Sequence, residues 1–356
     1  MKTIFLRMLD AEDKEHSLLG AIEGANELPT SRRFEVESDC FASVPGSPFA
    51  YWVSDRIRRR FTDLKPFEAE GRVARQGLAT SNDFRFVRAW WAVSSTTVGD
   101  KWLPFTKGGK FARYYADIAL MVRWGLDGCE VKAFAETTPG TTHWSRNIRN
   151  TDFYLRPGLT WPLRGVRFSA QAVPVGCVFS IAGKMAFVAE PDLLCWLALF
   201  NCEAFDSFIA LFAGKVGGVQ YEVGLIQSLP APTVTPTDQA TVASLSHRAW
   251  SLRRALDTRT ENSHAFSLPA LLQVPSTTLA ARAAAWADRV GAAETELTAI
   301  QAEIDDRCFA LYGINDEDRR AITEGFEGTA AAPPTGDAEG DAASALGSSY
   351  ASDSTT

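Results

Sequence analysis

Apolar and polar positions along the chain fall into four stretches of different period. The first, over 1–42, opens on the apolar segment Thr3-Ile4-Phe5-Leu6-Arg7-Met8-Leu9. It turns acidic at Asp10, Glu12, Asp13 and Glu15, and Leu18, Leu19 and Ile22 then follow at helical spacing. Carboxylates in a first turn oppose the positive end of the helix dipole, so a helix is predicted over 13–24. The abrupt opening reads as the remnant of a preceding domain, or a linker from one. The second stretch, 43–236, starts with the turn Val44-Pro45-Gly46-Ser47-Pro48, which predicts a helix over 49–61. Short β-branched and aromatic runs at 86–93, 166–172 and 177–181, cut by Gly, Pro and Asn, read as strands. Two helices, over 109–127 and 192–211, are expected to interrupt the sheet. Gly125-Leu126-Asp127-Gly128 reads as a turn leading into a strand.

A proline-punctuated linker at 229–236 leads into the third stretch, 237–325, with two helical segments. The second, over 277–312, sets Leu279, Trp286, Val290, Leu297, Ile300, Ile304 and Leu311 close to a heptad seam, and Gly313 is its expected C-cap. Its mixed charge suits a coiled-coil-like spacer or dimer seam. The last stretch, 326–356, is Ala, Gly, Ser, Thr and Asp without a basic residue, a composition that cannot bury a core, so a disordered tail is expected. The fold class that follows is α+β: a strand-rich module, then a helical spacer, then the tail.

Composition narrows the function classes. With 46% hydrophobic and 22% charged residues in 356, the chain is globular, and its apolar runs fall short of the roughly 20 residues needed to cross a bilayer. No signal-peptide pattern precedes them, and six cysteines without a CxxC pair read as reduced thiols in a cytoplasmic protein. The net charge of −7 hides a segregation. Between Arg56 and Arg167 stand 20 Lys/Arg against 10 Asp/Glu, whereas the rest of the chain is strongly acidic. A basic module in an acidic chain is the pattern expected when one face meets a polyanion, and most of its cations are Arg, which forks to phosphate and to guanine.

Several chemistries lack their residues. Only His16, His143, His247 and His264 are present, none beside a G-x-S-x-G turn. No His/Cys set has zinc spacing, and Gly214-Lys215 lacks the rest of a phosphate-binding loop. One enzymatic pattern stays open: Asp117, Glu130 and Lys132 match the D…E-x-K set of a Mg²⁺-dependent nuclease, in which two carboxylates hold the metal and the lysine polarises water. Against it stands the reading of these groups as solvated strand-edge charges.

Basic and aromatic residues interleave more densely. Arg85-Phe86-Val87-Arg88-Ala89-Trp90-Trp91 alternates cationic heads with apolar neighbours. Lys107-Gly108-Gly109-Lys110 is a turn flanked by ammonium groups that could lie against a phosphate. Arg146-Asn147-Ile148-Arg149-Asn150 puts the side chains that pair with guanine and adenine edges on a loop. Taken singly, each has a plainer reading: core tryptophans, a ligand-free tight turn, a solvated loop. Together they make DNA the expected partner, with Arg85, Arg88, Lys107, Lys110, Arg146, Asn147, Arg149, Arg164, Arg167 and Lys215 as the candidate contacts.

The order of motifs also resembles a known family. Ser47-Pro48-Phe49-Ala50-Tyr51-Trp52, Arg75-Gln76-Gly77-Leu78-Ala79-Thr80, Phe86-Val87-Arg88-x-Trp90-Trp91 and Trp102-Leu103-Pro104-Phe105-x-Lys107-Gly108-Gly109 come in series. Arg149-Asn150-Thr151-Asp152-Phe153-Tyr154, the segment Gly217–Pro230, and Asp305-x-x-Cys308-Phe309-x-Leu311-Tyr312-Gly313-Ile314 follow. The series resembles the C-terminal, target-recognition half of the adenine-specific DNA methyltransferases of phage-defence systems (the PglX group of the BREX type). It is also similar to restriction–modification methylases with a TaqI-like specificity domain. The resemblance implies an S-adenosylmethionine loop and an Asn-Pro-Pro-Tyr/Phe motif in a catalytic half; neither motif occurs here, and the one Pro-Pro pair is Pro333-Pro334. The chain is therefore expected to bind no cofactor and to carry no catalytic residue itself. It would serve as the DNA-specificity module of a separate methyltransferase subunit that holds S-adenosylmethionine, with a homodimer through the helical region possible. A non-catalytic scaffold of a defence complex is the other reading.

Overall fold

The computed structural model describes residues 2–8, 11–23, 33–213 and 219–323, so Lys215 and the expected tail at 326–356 lie outside the described residues. The helices among them are α1 (Lys14–Glu23), α2 (Asp55–Asp63), α3 (Asp83–Phe86), α4 (Gly125–Thr137), α5 (Leu193–Asn201), α6 (Glu203–Ala213), α7 (Val223–Ser228), α8 (Pro236–Asp257), α9 (Leu279–Leu311) and α10 (Asp316–Thr323). Short strands fill the middle of the chain and long helices its later part, which is the α+β class the pattern implies.

Two four-stranded sheets organise the middle. One orders Gln171–Val173, Gly158–Thr160, Met185–Phe187 and Val73–Arg75, antiparallel throughout. Side chains alternate faces along a strand. Ala74, Leu159 and Ala186 therefore enter a large apolar core, while Val173, Met185 and Phe187 enter a smaller one on the other side. The other sheet orders Val178–Phe179, Trp102–Thr106, Leu120–Arg123 and Val87–Ala89, with its first pair parallel. It closes the smaller core over Leu78, Phe86, Phe105, Val122, Trp124, Ile148 and Phe179.

The large core belongs to the helices. α5 and α6 are apolar on several faces because they are surrounded, α5 lying against α8 and α6 against α9. The run predicted as one helix over 192–211 is bent by 64° at Cys202. Asn201 holds the bend: its side-chain amide donates to Leu197 O at 2.8 Å and Ala170 O at 2.9 Å, and its Oδ1 accepts from Ala170 N at 2.9 Å. Among the described residues no single helix is long and apolar enough to cross a membrane. Within α9, Trp286, Leu297, Ile300 and Ile304 are buried, the last three in the large core, whereas Leu279 is 70% exposed. The buried part of the heptad-like seam is thus spent inside the chain. Gly313 follows α9 at φ +61°, and Tyr312 donates its hydroxyl to Pro230 O at 3.2 Å, tying the helix end to the proline segment.

Other elements differ from the pattern. No helix forms over 109–127: Gly108, Gly109 and Tyr114 have positive φ, and Tyr114 exchanges backbone hydrogen bonds with Ala170 (2.8 Å) and Ala172 (3.1 Å). The tail of that run becomes the strand Leu120–Arg123. α2 starts at Asp55 rather than at Phe49, because Ser54 is the N-cap, its hydroxyl accepting from Ile57 N at 3.2 Å. Within 86–93 only Val87–Ala89 is strand, and 166–172 joins a strand only at its end. Leu126, Asp127 and Gly128 are left-handed and lead into the helical residues of α4, not into a strand.

Candidate nucleic-acid interface

Backbone pairing over the smaller core gathers four loops. Leu78, 1% exposed, bridges Ile148 on one side and Ser180 on the other. Ala79 N donates to Asn147 O at 2.8 Å, and Asn147 Nδ2 donates to Ser81 Oγ at 3.2 Å. Asn150, left-handed at φ +54°, donates Nδ2 to Gln76 O at 2.8 Å. Ser180 N donates to Thr106 O at 3.1 Å, which brings in the Gly108–Gly109 turn. At φ +80°, Gly108 lies so close to the backbone that a Cβ there would stand 2.7 Å from Trp161 O and 2.8 Å from Ala182 O. Finally, Lys107 pairs with Asp83 at the start of α3, and the Thr80 hydroxyl donates to the same carboxylate. The segments 76–86, 106–110, 146–150 and 180–183 are therefore one connected loop cluster.

Six of the ten expected contact residues keep an uncompensated charge. Arg85 is exposed, with its guanidinium over the rings of Phe86 (5.1 Å) and Phe134 (5.0 Å). Arg88 donates Nη1 to the carbonyls of Phe84 and Val87. Arg146 donates Nη1 to Gly140 O at 2.7 Å, and Arg149 donates Nε to Arg146 O at 3.0 Å. Lys110 and Arg164 are exposed, Arg164 on a two-residue strand beside Val219–Gln220. None of these six has a carboxylate partner among the described residues. A guanidinium held by one carbonyl is oriented yet keeps further N–H groups for a phosphate or a base edge.

Two of the others are committed within the fold. Lys107 pairs with Asp83 within the fold. Arg167 bridges Glu203 and Asp206 of α6, the latter at 3.1 Å. Burial alone would lower its pKa, but the two carboxylates outweigh that and raise it. It is a strut between the strand-rich module and α6. Asn147 is shared: its amide nitrogen is used on Ser81, while its carboxamide oxygen is not.

The nuclease constellation is not assembled. Asp117 pairs with His264 at 3.1 Å, Glu130 with Arg123 at 2.6 Å, and Lys132 with Asp127 at 2.6 Å. The Lys132 ammonium also sits over the rings of Trp144 (4.6 Å) and Trp124 (5.6 Å). Among the described residues no group of three His, Cys, Asp or Glu side chains could hold a metal ion. Trp90 has a structural role, donating Nε1 to Asn262 O at 2.9 Å and lying 4.7 Å from the His264 ring. Sequence reasoning missed the exposed rings of Phe84 and Phe111 beside the cations. Asn82 was the available signal: as N-cap of α3 it marks a one-turn helix that would turn Phe84 outward.

No family model matches the chain. Curated relatives are the adenine-specific methyltransferase PglX of Lacticaseibacillus casei (strain Zhang) and the adenine-specific methyltransferase BrxX of Escherichia coli O9:H4 (strain HS). PglX is 25% identical over 328 residues and BrxX 27% identical over 209. These matches cover 85% and 56% of this chain but only 26% and 16% of the relatives. The chain thus spans about a quarter or less of their length, and the resemblance to adenine-specific methyltransferases is established over that part. Among solved structures, the Type IIL restriction-modification enzyme MmeI in complex with DNA aligns over 74% of this chain and 36% of its own. The TM-score is 0.47 and the identity 14%.

Proposed function

We propose that this chain reads DNA sequence for an adenine-specific methyltransferase of a phage-defence or restriction–modification system, with S-adenosylmethionine bound by the methylase part. The carrying observation is the loop cluster over the smaller core, where the segment carrying Arg85 is joined to the one carrying Arg146, Asn147 and Arg149, the three arginines having no carboxylate partner among the described residues. Kinship to adenine-specific methyltransferases supports the reading. Lys110 and the exposed arginines would hold phosphates, which fixes register. Arg146, Asn147 and Arg149 would meet base edges, which fixes sequence. An enzyme that modifies adenine must take the base out of the stack, and contacts made only at the right sequence return that energy.

The test is a selection of the purified chain on a random duplex library at about 150 mM salt, where phosphate attraction is screened. Enrichment of a motif of several base pairs is expected. Binding without enrichment, even with the methylase part added, overturns the reading in favour of a scaffold.

A further inference from the structure

Phe84 is 74% exposed, yet everything around it is fixed. Asn82 Oδ1 accepts from Arg85 N at 3.0 Å and caps the one-turn α3. Asp83, the residue before Phe84, is held by Lys107 and by the Thr80 hydroxyl. Arg85, the residue after it, rests on the rings of Phe86 and Phe134, and Phe86 is fully buried. The Phe84 carbonyl itself accepts from the Arg88 guanidinium. A single exposed apolar side chain on a mobile loop would need no explanation. Here a capped, ion-paired turn carries the ring outward, with Arg85 next in the chain and Arg88 bonded to the Phe84 carbonyl, two guanidiniums that have no carboxylate partner among the described residues.

An exposed apolar ring with unpaired cations beside it is complementary to a nucleic-acid base step, in which an apolar stack adjoins lines of phosphate. We infer that Phe84 is an aromatic wedge that enters a base step of the bound duplex and partly unstacks it, with Arg85 and Arg88 on the flanking phosphates. Apolar wedges inserted between base pairs act this way when the protein clamps the backbone beside them. The inference rests on the DNA-recognition reading and names the residue through which that surface would deform its target. Because the four loops are cross-linked, the wedge and the base-reading Arg149 move as one body, so deformation and sequence reading are coupled.

The experiment uses short duplexes of the enriched sequence, each carrying 2-aminopurine at one position, titrated with the full chain. Wild type is expected to raise fluorescence several-fold at one step. Phe84→Leu, still an apolar wedge, keeps most of the rise. Phe84→Ala abolishes it and weakens binding roughly ten-fold with an unchanged salt slope, because no phosphate contact is removed. As the ring is exposed, thermal melting of both variants should match wild type. Binding by wild type with no rise at any position, or a rise that survives Phe84→Ala, overturns the wedge while leaving DNA recognition intact. Failure of wild type to bind any duplex overturns both.

Discussion

Asp83 and Lys107 form an ion pair that ties the first turn of α3 to the Gly108–Gly109 turn. Both side chains are about one-third exposed, so the pair contributes no more than about 1 kcal/mol. Its importance is geometric, since it holds the loops carrying Phe84 and Lys110 together. Lys107→Ala should cost at most that amount and leave the salt dependence of DNA binding unchanged. Lys110→Ala should weaken binding to every duplex and lower the salt slope by about 1. Titrations at several salt concentrations separate the two; equal slopes for both variants would assign the phosphate contact wrongly.

Arg149 and Arg167 were alike in sequence and part company in the fold. Arg149 is held only through Nε, on Arg146 O, whereas Arg167 is committed to Glu203 and Asp206. Arg149→Ala should relax preference at one base position, at a cost of about 1–3 kcal/mol if the contact is bidentate, with folding stability unchanged. Arg167→Ala leaves Asp206 without a cation, while Glu203 keeps Arg113 at 3.5 Å, and should destabilise the chain by about 1–2 kcal/mol, the solvent-exposed half of the side chain moderating the loss. Its sequence preference should stay as it is. Library selection and urea unfolding on both variants give the two readings.

The α+β class and the two long helices were legible because their signals are local: the proline-punctuated linker before α8, heptad-like spacing along α9, and Gly313 at its end. The strands were legible only in part: Val87–Ala89 and Val178–Phe179 fall inside expected runs, but most strands are two to four residues long and buried on both faces, so Met185–Phe187 shows no alternation of polar and apolar positions. The false helix over 109–127 failed for a long-range reason. Tyr114 takes positive φ to pair with Ala170 and Ala172, partners more than fifty positions away. Along the loop cluster, charge density in the sequence could not distinguish free cations from paired ones. Arg167 finds its carboxylates on α6, and only the tertiary structure brings those within reach. The family-like segments near the end are structural joints: Asp305 accepts from Glu203 N, and Tyr312 donates to Pro230 O.

The two glycines of the 106–110 turn should respond differently to the same substitution. Both have positive φ, which costs a side chain about 1–2 kcal/mol. A Cβ on Gly109 would meet open space, so Gly109→Ala should cost only that. On Gly108 it would press against the carbonyls of Trp161 and Ala182, backbone that cannot swing aside, which adds about 1–3 kcal/mol. Gly108→Ala should therefore melt clearly lower than Gly109→Ala, and it should lose DNA binding as the 106–110 and 180–183 loops part. Similar melting temperatures for the two would contradict the close packing of this joint.

Asp305 makes the fold sensitive to pH. It is buried on α9, where its Oδ1 accepts from Glu203 N at 2.7 Å and its Oδ2 from Gln301 Nε2 at 3.1 Å. Burial dominates those hydrogen bonds and lifts the carboxyl from its ordinary 3.8 to about 6. Between those two values this group binds more protons in the folded chain than in the unfolded one, so the part of the stability that Asp305 carries falls as pH rises from about 4 to about 6 and levels off above. The contribution of this group is about 3 kcal/mol across the window. Asp305→Asn keeps an oxygen for Glu203 N but turns an N–H toward the Gln301 amide, a loss of about 1 kcal/mol. At pH 8 the variant should still be about 1–2 kcal/mol more stable than wild type, because it no longer buries a charge. Urea unfolding at intervals from pH 4 to pH 8 checks both points. An unchanged slope in the variant would place the titrating group elsewhere.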